Sequence, residues 1–421
     1  MASFGNGLSL TGHGTIVNAA DVQYRQSVQR RQSVQREDLM DATTEHLSDY
    51  ACGLRYDRLS PEAVHQVKRT LIDTLGCGIG AFDGEPASIA RRAAARVQGN
   101  PSARLLGTRQ RTSTDLAAFA NTALVRYLDC NDTYAARGTG HPSDMIPAVL
   151  ATADGRGAGG RDVITAIAAA YEAFCRLADR VPLKGWDQGI FVAVGAACGA
   201  GKILGLEAPK WERFGGGDES FRITDTSFKA YPAVVHTQGP IGLVLELRKQ
   251  IPAAQIESIR VATYAEAVRR TAAEAEKWDP ATRETADHSI PFLVAAALQD
   301  GEVTPATFAP ARIQDPALRP LMRKLTVVEE PEFTRRYPGE SCTRVEVTSN
   351  DGRKVTAETS HPKGHYRNPL TDGEVEWKFR GLASAALGAQ GCDRVLAEVA
   401  SLDRASTLDA LFESLVISTP A

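Results

Sequence analysis

The stretch "IESIRVATY", residues 256–264, marks the point at which the pattern of the chain changes. Its apolar and polar side chains alternate and it is rich in β-branched residues, which is typical of a strand with one buried face. A second alternating stretch, "SCTRVEVTSNDGRKVTAETS" at 341–360, predicts a hairpin that turns at 350–352. Together with helical patterns at 289–299, 315–324 and 372–387, these strands predict a small α+β lid domain over 256–388.

The chain before residue 256 has a helical pattern instead. Ser60-Pro61-Glu62 is a helix start, because a capping residue precedes a proline at the first helical position and an acid in the first turn. Small, Ala-rich segments then recur at 85–98, 114–128, 143–154, 161–178 and 190–205. These patterns predict a packed helical domain over 43–255, rejoined by a helical tail at 389–421. The predicted fold class is therefore mostly α, with a large all-helical domain and a smaller α+β lid.

Residues 1–42 are polar and poor in large apolar side chains, which predicts a disordered extension. The segment contains "RQSVQR" twice in tandem, at 25–30 and 31–36. Two copies are too few to form a repeat architecture.

Composition excludes several classes of partner. A net charge of −3 over 421 residues gives no electrostatic reason to expect nucleic acid or an acidic membrane surface. No apolar run reaches the length of a membrane span, and the N-terminus lacks the order of a signal peptide. The seven cysteines form no CxxC pair, so a reducing, cytoplasmic setting is predicted.

Polar residues gather in "DCNDTYAARGTGHPSDMIPAVLATAD", residues 129–154, directly before an apolar helix. His141 has no second histidine within a turn or two, so the sequence predicts no metal site. A histidine at a helix entrance suits acid or base chemistry near neutral pH, although a simple cap or turn residue is the alternative. Asp129 and Thr133 would then orient it or bind a substrate hydroxyl. A helix starting at Pro142 would favour a bound carboxylate at its N-terminus.

The same stretch resembles the signature of the MmgE/PrpD family, whose dehydratase branch has Asp, Asn-Asp-Thr and His-Pro-Ser-Asp at this spacing. Further stretches resemble later blocks of that family, so the resemblance covers about 43–415. They are "GWDQGIFVAVGAACGAGKILGL" (185–206), "SFKAYPAVVHTQ" (227–238), "RETADHSIPFLVAAALQDGEVTP" (283–305) and "HPKGHYRNPLTDGEVEWKFRGLA" (361–383).

The resemblance implies a cofactor-independent homodimer that acts on a small di- or tricarboxylate. The catalytic residues that it implies are His141 as acid or base, Lys229 as a cation for a carboxylate, His236, and, by a looser match, Tyr264. The substrate-binding or supporting residues that it implies are Asp129, Asp132, Thr133, Gln188 and His288.

The implied reaction is a dehydration like that of 2-methylcitrate dehydratase, which starts with proton removal beside a carboxylate. Epimerisation, as of iminodisuccinate, and decarboxylation, as of cis-aconitate, are the alternatives, because related chemistry serves all three.

Two departures from the family pattern favour a third alternative, a non-catalytic paralogue. Gln188 stands where the dehydratases have a histidine, and the link between 206 and 229 is short. Glutamine cannot transfer a proton at neutral pH.

Overall fold

The computed structural model describes residues 42–206 and 220–417, with side chains from residue 47 onward. The predicted N-terminal extension and its tandem duplication lie outside these residues, as does most of the short link after residue 206.

The first part of the described chain is mainly helical. Its helices are α1 (Ala42–Gly53), α2 (Pro61–Gly80), α3 (Glu85–Ala94), α4 (Thr114–Arg126), α5 (Ile146–Arg156), α6 (Gly160–Arg180) and α7 (Gly189–Leu204). As predicted, the Ser60 side chain caps α2 by accepting a hydrogen bond from the backbone N–H of Ala63, at 3.2 Å. No helix within 42–206 or 220–417 is long and apolar enough to cross a membrane.

The second part combines helices with a sheet. Its helices are α8 (Gln238–Leu247), α9 (Ala265–Thr271), α10 (Arg283–Asp287), α11 (Ile290–Asp300), α12 (Pro310–Ile313), α13 (Arg319–Arg323), α14 (Pro331–Arg336), α15 (Asp372–Ala400) and α16 (Asp409–Ser414). Its strands are β3 (Ile256–Thr263), β4 (Leu325–Glu329), β5 (Thr343–Ser349) and β6 (Lys354–Thr359). The opening stretch forms β3, and the predicted hairpin forms β5 and β6.

The four strands form one mixed sheet in the order β4-β3-β5-β6. β3 runs parallel to β4 and antiparallel to β5, and its register pairs Val261 with Val327 and with Val345. Helices α8 and α11 pack their apolar side chains with β3 and β5 into one core, which includes Ile241, Leu293 and Val345. The sheet therefore places the end of β3, and Tyr264 after it, beside the helical part.

The predicted all-helical domain contains one exception. Two three-residue strands, β1 (Ser102–Arg104) and β2 (Arg111–Ser113), form a small antiparallel hairpin between α3 and α4. Three-residue strands are too short to show alternation in a sequence, which is why the pattern missed them. The fold class is confirmed as mostly α with a smaller α+β part.

Packing divides the chain differently from the predicted boundaries at 255 and 388. Helix α8, predicted in the helical domain, contributes Ile241, Val244 and Leu247 to the core of the sheet. The first half of α15, predicted in the lid, contributes Phe379 to the helical core. Gly388, at φ 68°, breaks the helical geometry inside α15. A helical pattern shows that a face is buried, but not which core buries it.

We expect Phe379→Ala to lower the free energy of unfolding by about 3–5 kcal/mol, because a fully buried aromatic ring is lost and a cavity remains. Phe379 is fully buried, and its ring lies directly over Gly76 of α2. The control is Trp377→Ala in the same helix, since Trp377 is 73% exposed. Urea unfolding of both variants tests this, and similar losses would contradict the packing of α15 on α2.

Candidate active site

An open cavity of about 1170 Å³ lies between the helical part and the sheet. The helical part lines it with the loops around 136–144 and 182–188, and the α+β part with 234–236, 264–270, His288, Thr334 and Tyr337. Five basic and three acidic side chains face it, which are Arg126, Arg137, Lys184, Arg269 and Arg270 against Asp144, Asp187 and Glu266. This excess of two positive charges favours an anionic ligand.

The loop that delivers His141 to the cavity is fixed by backbone hydrogen bonds. The amide of Thr133 donates to the carbonyl of Ser227 at 2.7 Å, and the amide of Tyr134 donates to the carbonyl of Gly140 at 2.8 Å. A Cβ atom on Gly140 would lie 2.8 Å from side-chain atoms of Gln188 and Phe174. Only glycine allows the loop to approach this closely.

His141 is held as a neutral imidazole with one free nitrogen. Its Nδ1 lies 2.7 Å from the carbonyl oxygen of Asp132. A carbonyl only accepts hydrogen bonds, so Nδ1 carries the hydrogen and Nε2 is unprotonated in the neutral ring. Burial, with the nearby cations Arg126 and Lys229, holds the pKa of His141 well below its usual range. Nε2, 4.0 Å from Asp129 Oδ1, is thus ready to accept a proton.

Asp129 is a buried carboxylate shared by two cations. Its Oδ1 accepts a hydrogen bond from Lys229 Nζ at 2.6 Å and another from Arg126 Nη1. Lys229 also donates to the carbonyl of Asp129 at 2.8 Å. Burial alone would raise the pKa of Asp129, but Lys229 and Arg126 outweigh it and hold the pKa well below its usual range. Asp129 adopts φ 49°, a left-handed conformation that is uncommon outside glycine and occurs at constrained sites.

His236 and Tyr264 form a second polar pair on the α+β side of the cavity. The Tyr264 hydroxyl lies 2.8 Å from His236 Nδ1, and its ring stacks on Tyr337 with centroids 4.3 Å apart. Burial lowers the pKa of His236 to about 3. His236 is therefore neutral at physiological pH and is a poor source of protons there.

The ring of His288 is hydrogen-bonded to a neighbouring carboxylate. Its Nδ1 lies 2.6 Å from Asp287 Oδ1, so Nδ1 donates to that oxygen. An aspartate in this arrangement fixes the orientation of the ring and stabilises the imidazolium that forms during proton transfer. The ring lines the cavity, with 31% of its side chain exposed. Because Asp287 holds Nδ1, Nε2 is the ring nitrogen that remains for a ligand in the cavity.

His288, Asp287 and Asp129 have donor atoms within 4.8 Å of one another, which is a possible metal-ligand group within the described ranges. The charges around it fit a metal ion poorly. Lys229 and Arg126 already neutralise Asp129, and a bound cation would be repelled by both.

Comparison with known families identifies the group to which this fold and site belong. The MmgE/PrpD N-terminal domain matches residues 45–213, and the MmgE/PrpD C-terminal domain matches residues 231–404. The chain belongs to the MmgE/PrpD family. The two matches agree with the helical part and the α+β part of the structure, respectively.

Several relatives of the chain carry the names of lyases. The chain is 26% identical over 411 residues to the 2-methylcitrate dehydratase of Cupriavidus necator, covering 74% of this chain and 84% of that protein. It is 25% identical over 377 residues to the 2-methylcitrate dehydratase of Escherichia coli K12, covering 68% and 77%. It is 21% identical over 450 residues to the human cis-aconitate decarboxylase, covering 87% and 92%. At family level the chain is therefore a lyase-type enzyme.

The structure brings five of the nine residues implied by the MmgE/PrpD resemblance to the large cavity, which are His141, Gln188, His236, Tyr264 and His288. Asp129 and Lys229 lie directly behind His141 and do not line that cavity. Lys229 is 1% exposed and borders a separate small cavity with Thr133. Thr133 Oγ1 lies 3.3 Å from His141 Nδ1, so it can support the ring but is itself fully buried.

Gln188 clamps the loop of His141. Its Oε1 accepts a hydrogen bond from the His141 amide at 3.1 Å, and its Nε2 donates to Asp144 Oδ2 at 3.0 Å. Both ends of the side chain are therefore bonded within the protein. Gln188 holds the base in place, a task for which no proton transfer is needed.

Asp132 does not reach the cavity, so a role in binding substrate needs correction. Its Oδ1 accepts a hydrogen bond from the Ser143 amide at 2.9 Å, and its Oδ2 accepts one from the Tyr171 hydroxyl at 2.8 Å. The predicted carboxylate site at the helix start is thus occupied by Asp132 itself. The segment there is a short 3-10 turn, Pro142–Met145, before α5 begins.

Three site residues were missed by sequence reasoning. Arg126 ends α4, Asp287 directly precedes His288, and Tyr337 precedes a proline. Arg126, three residues before Asp129, was the one with a usable signal, because a basic residue at a helix end before an acidic loop is placed to contact it.

We expect Asp132→Asn to keep kcat/KM close to wild type and to keep or raise stability. Burial raises the pKa of Asp132 to about 7. The free energy of unfolding therefore falls as the pH rises from the pKa of this carboxyl in the unfolded chain towards 7, because the buried group resists ionisation. The amide oxygen of asparagine can accept from the Ser143 amide, and its NH2 group can donate to the Tyr171 hydroxyl oxygen, so contact with both partners is kept without the charge. Urea unfolding at pH 5 and pH 8 should show the variant gaining on wild type at the higher pH.

Asp132→Ala is the matched comparison, because it leaves the Ser143 amide and Tyr171 hydroxyl without their partner. It should cost about 1–3 kcal/mol for each unsatisfied group. A large rise in KM for Asp132→Asn, with unchanged stability, would restore a substrate-binding role.

Proposed function

We propose that this chain is a cofactor-independent lyase that dehydrates a small di- or tricarboxylate in the manner of 2-methylcitrate dehydratase. The observation that carries the proposal is the tautomer of His141, whose Nδ1 hydrogen is held by the Asp132 carbonyl at 2.7 Å and whose Nε2 is free. A neutral histidine on the wall of a positively charged cavity is suited to remove a proton from an anionic substrate.

The reaction begins when His141 Nε2 accepts the proton from the carbon beside a substrate carboxylate. The electron pair of the broken C–H bond moves towards that carboxylate, where the negative charge develops. Fixed cations at the cavity lower the energy of this charge. The pair then forms the new double bond as the C–O bond of the neighbouring hydroxyl breaks.

The departing hydroxyl needs a proton, and we assign this role to His288, although the resemblance pointed to His141 or His236. Two of the three histidines that line the cavity, His141 and His236, have their pKa values lowered by burial and are neutral. His288 alone among these has a carboxylate, Asp287, on its Nδ1. Proton transfer from His288 releases water and leaves the unsaturated acid. His236 and Tyr264 would then position the substrate rather than protonate it.

Epimerisation and decarboxylation remain alternatives. Epimerisation would use the same proton abstraction and return the proton to the other face, whereas decarboxylation would lose carbon dioxide in place of the proton. The relative named cis-aconitate decarboxylase supports keeping the second alternative. The contacts by which Gln188 holds His141 in place weaken one of the two arguments for a non-catalytic paralogue, and the short link between 206 and 229 remains the other.

We also retain the proposals of a homodimer and of a cytoplasmic location. Exposed apolar side chains on and next to α7, including Trp186 at 73% and Ile190 at 41%, support self-association. All seven cysteines are free, as a reducing compartment would keep them. Light scattering of the purified protein tests the dimer.

The function is tested by incubating the purified protein with 2-methylcitrate, citrate, cis-aconitate and iminodisuccinate, followed by mass spectrometry. We expect loss of water from a hydroxylated tricarboxylate, unchanged after dialysis against EDTA. His141→Ala should lower turnover by ~100-fold or more while the protein remains folded, because the base is removed. The proposal would be overturned if the protein converted none of these substrates, or if His141→Ala kept wild-type turnover.

The pH dependence tests the base directly. His141 must be unprotonated to act, and its pKa is lowered, so the unprotonated form persists as the pH falls past the ordinary histidine value of 6.5. We therefore expect the acid limb of the kcat/KM profile to lie below pH 6.5. Measurement from pH 4.5 to 8 on the preferred substrate checks this, and an acid limb above 6.5 would exclude the buried neutral ring as the base.

A further inference from the structure

Two cations lie near His141, and they differ in their access to the large cavity. Lys229 is 1% exposed and is enclosed behind Asp129. The Arg126 side chain is 34% exposed and lines the cavity. A substrate that enters the cavity therefore meets the guanidinium of Arg126 before it can reach the ammonium of Lys229.

The hydrogen bonds of Arg126 leave part of the guanidinium open. Both bonds to protein use Nη1, one to Asp129 Oδ1 and one to Asn131 Oδ1 at 3.3 Å. Nε lies 3.9 Å from Asp144 Oδ2, which is beyond hydrogen-bond distance. Within the described residues, Nε and Nη2 have no acceptor. These nitrogens form one of the edges with which a guanidinium binds a carboxylate through two parallel hydrogen bonds.

The Asp129 carboxylate neutralises only part of the positive charge of Arg126 and Lys229. Lys229 and Arg126 share that one carboxylate, so the three groups together carry one excess positive charge. Asp144, the nearest other acid, accepts hydrogen bonds from Asn131 and Gln188 on its two oxygens. The open edge of Arg126 therefore remains attractive to an anion.

We propose that Arg126 is the carboxylate anchor of the site, binding one substrate carboxylate through Nε and Nη2. Lys229, to which the resemblance assigned this task, acts instead by fixing Asp129, which in turn fixes the plane of the guanidinium. The inference rests on the proposed function, because it needs a substrate with carboxylates. The bound carboxylate would lie on the same wall as His141, so Arg126 would orient the substrate towards that base.

The anchor is tested with two unreactive ligands that differ by one carboxylate, tricarballylate and glutarate. Titration calorimetry on the wild-type protein should show tighter binding of tricarballylate. In Arg126→Gln, tricarballylate should bind about 10- to 100-fold more weakly, as expected for a lost charge-assisted pair. The difference between the two ligands should also shrink. Arg126→Lys keeps the positive charge but loses the two parallel donors of the guanidinium. Its affinity for tricarballylate should lie between that of the wild type and that of Arg126→Gln.

Arg260→Gln is the matched control, because Arg260 lies on β3 with an exposed partner, Glu346, away from the cavity. It should bind both ligands as the wild type does. Thermal unfolding of each variant separates a folding defect from an anchor, since a purely structural role would weaken both ligands equally. Equal affinity of Arg126→Gln and wild type for tricarballylate, or an equal loss for both ligands, overturns the anchor. If the wild type neither binds nor converts any polycarboxylate, the proposed function fails instead.

Discussion

The site depends on the buried carboxylate of Asp129. Removing a charge from water costs several kcal/mol, and the cost is recovered only when partners of opposite charge are held at short distance. Here Lys229 supplies an ammonium at 2.6 Å, from a segment 100 residues later in the chain, and Arg126 supplies a guanidinium from the end of α4. The interaction therefore joins three chain segments at the point where His141 enters the cavity. A cluster that compensates a charge in this way also orients the groups around it.

The degree of burial explains why the three histidines of the cavity differ in their proposed roles. Burial disfavours the charged form of an imidazole, and His141 and His236 are both kept neutral. A neutral ring with a free Nε2 is a base, and His141 gains this tautomer from the Asp132 carbonyl. His288 is more exposed, and its Nδ1 donates a hydrogen bond to Asp287. In the proposed mechanism, the base and the acid thus differ in environment rather than in residue type.

The fold was predictable wherever a pattern depended on local sequence. Alternation in 256–264 gave β3, and the Ser60 cap gave the start of α2. Long-range packing was not predictable. The sequence of α15 shows an apolar face, but nothing in it states that Phe379 packs on Gly76, about 300 positions earlier. For the same reason, the predicted division of the chain into domains differs from the division between its two cores.

The site shows the same limit at the level of single side chains. The polar cluster of the sequence does border the large cavity through His141, but Asp129 and Asp132 look alike in the sequence. They differ in the structure because Asp129 adopts a left-handed backbone and faces two cations, whereas Asp132 faces the Ser143 amide and the Tyr171 hydroxyl. Arg126 was missed for the complementary reason. Its importance comes from the part of its guanidinium that the protein leaves unbonded, and a sequence does not show which donors lack acceptors.

This arrangement also explains how one scaffold is compatible with several reactions. The base, its tautomer and its clamp are built from the loop 129–144 and Gln188, and they require only that an acidic C–H bond be presented to His141 Nε2. What happens to the resulting negative charge depends on the opposite wall, where His236, Tyr264, His288 and Tyr337 come from the α+β part. A proton donor positioned at a hydroxyl gives dehydration, and one positioned at carbon gives epimerisation. In the proposed mechanism, the α+β part would therefore determine the choice of reaction, whereas the helical part would supply the base that starts it.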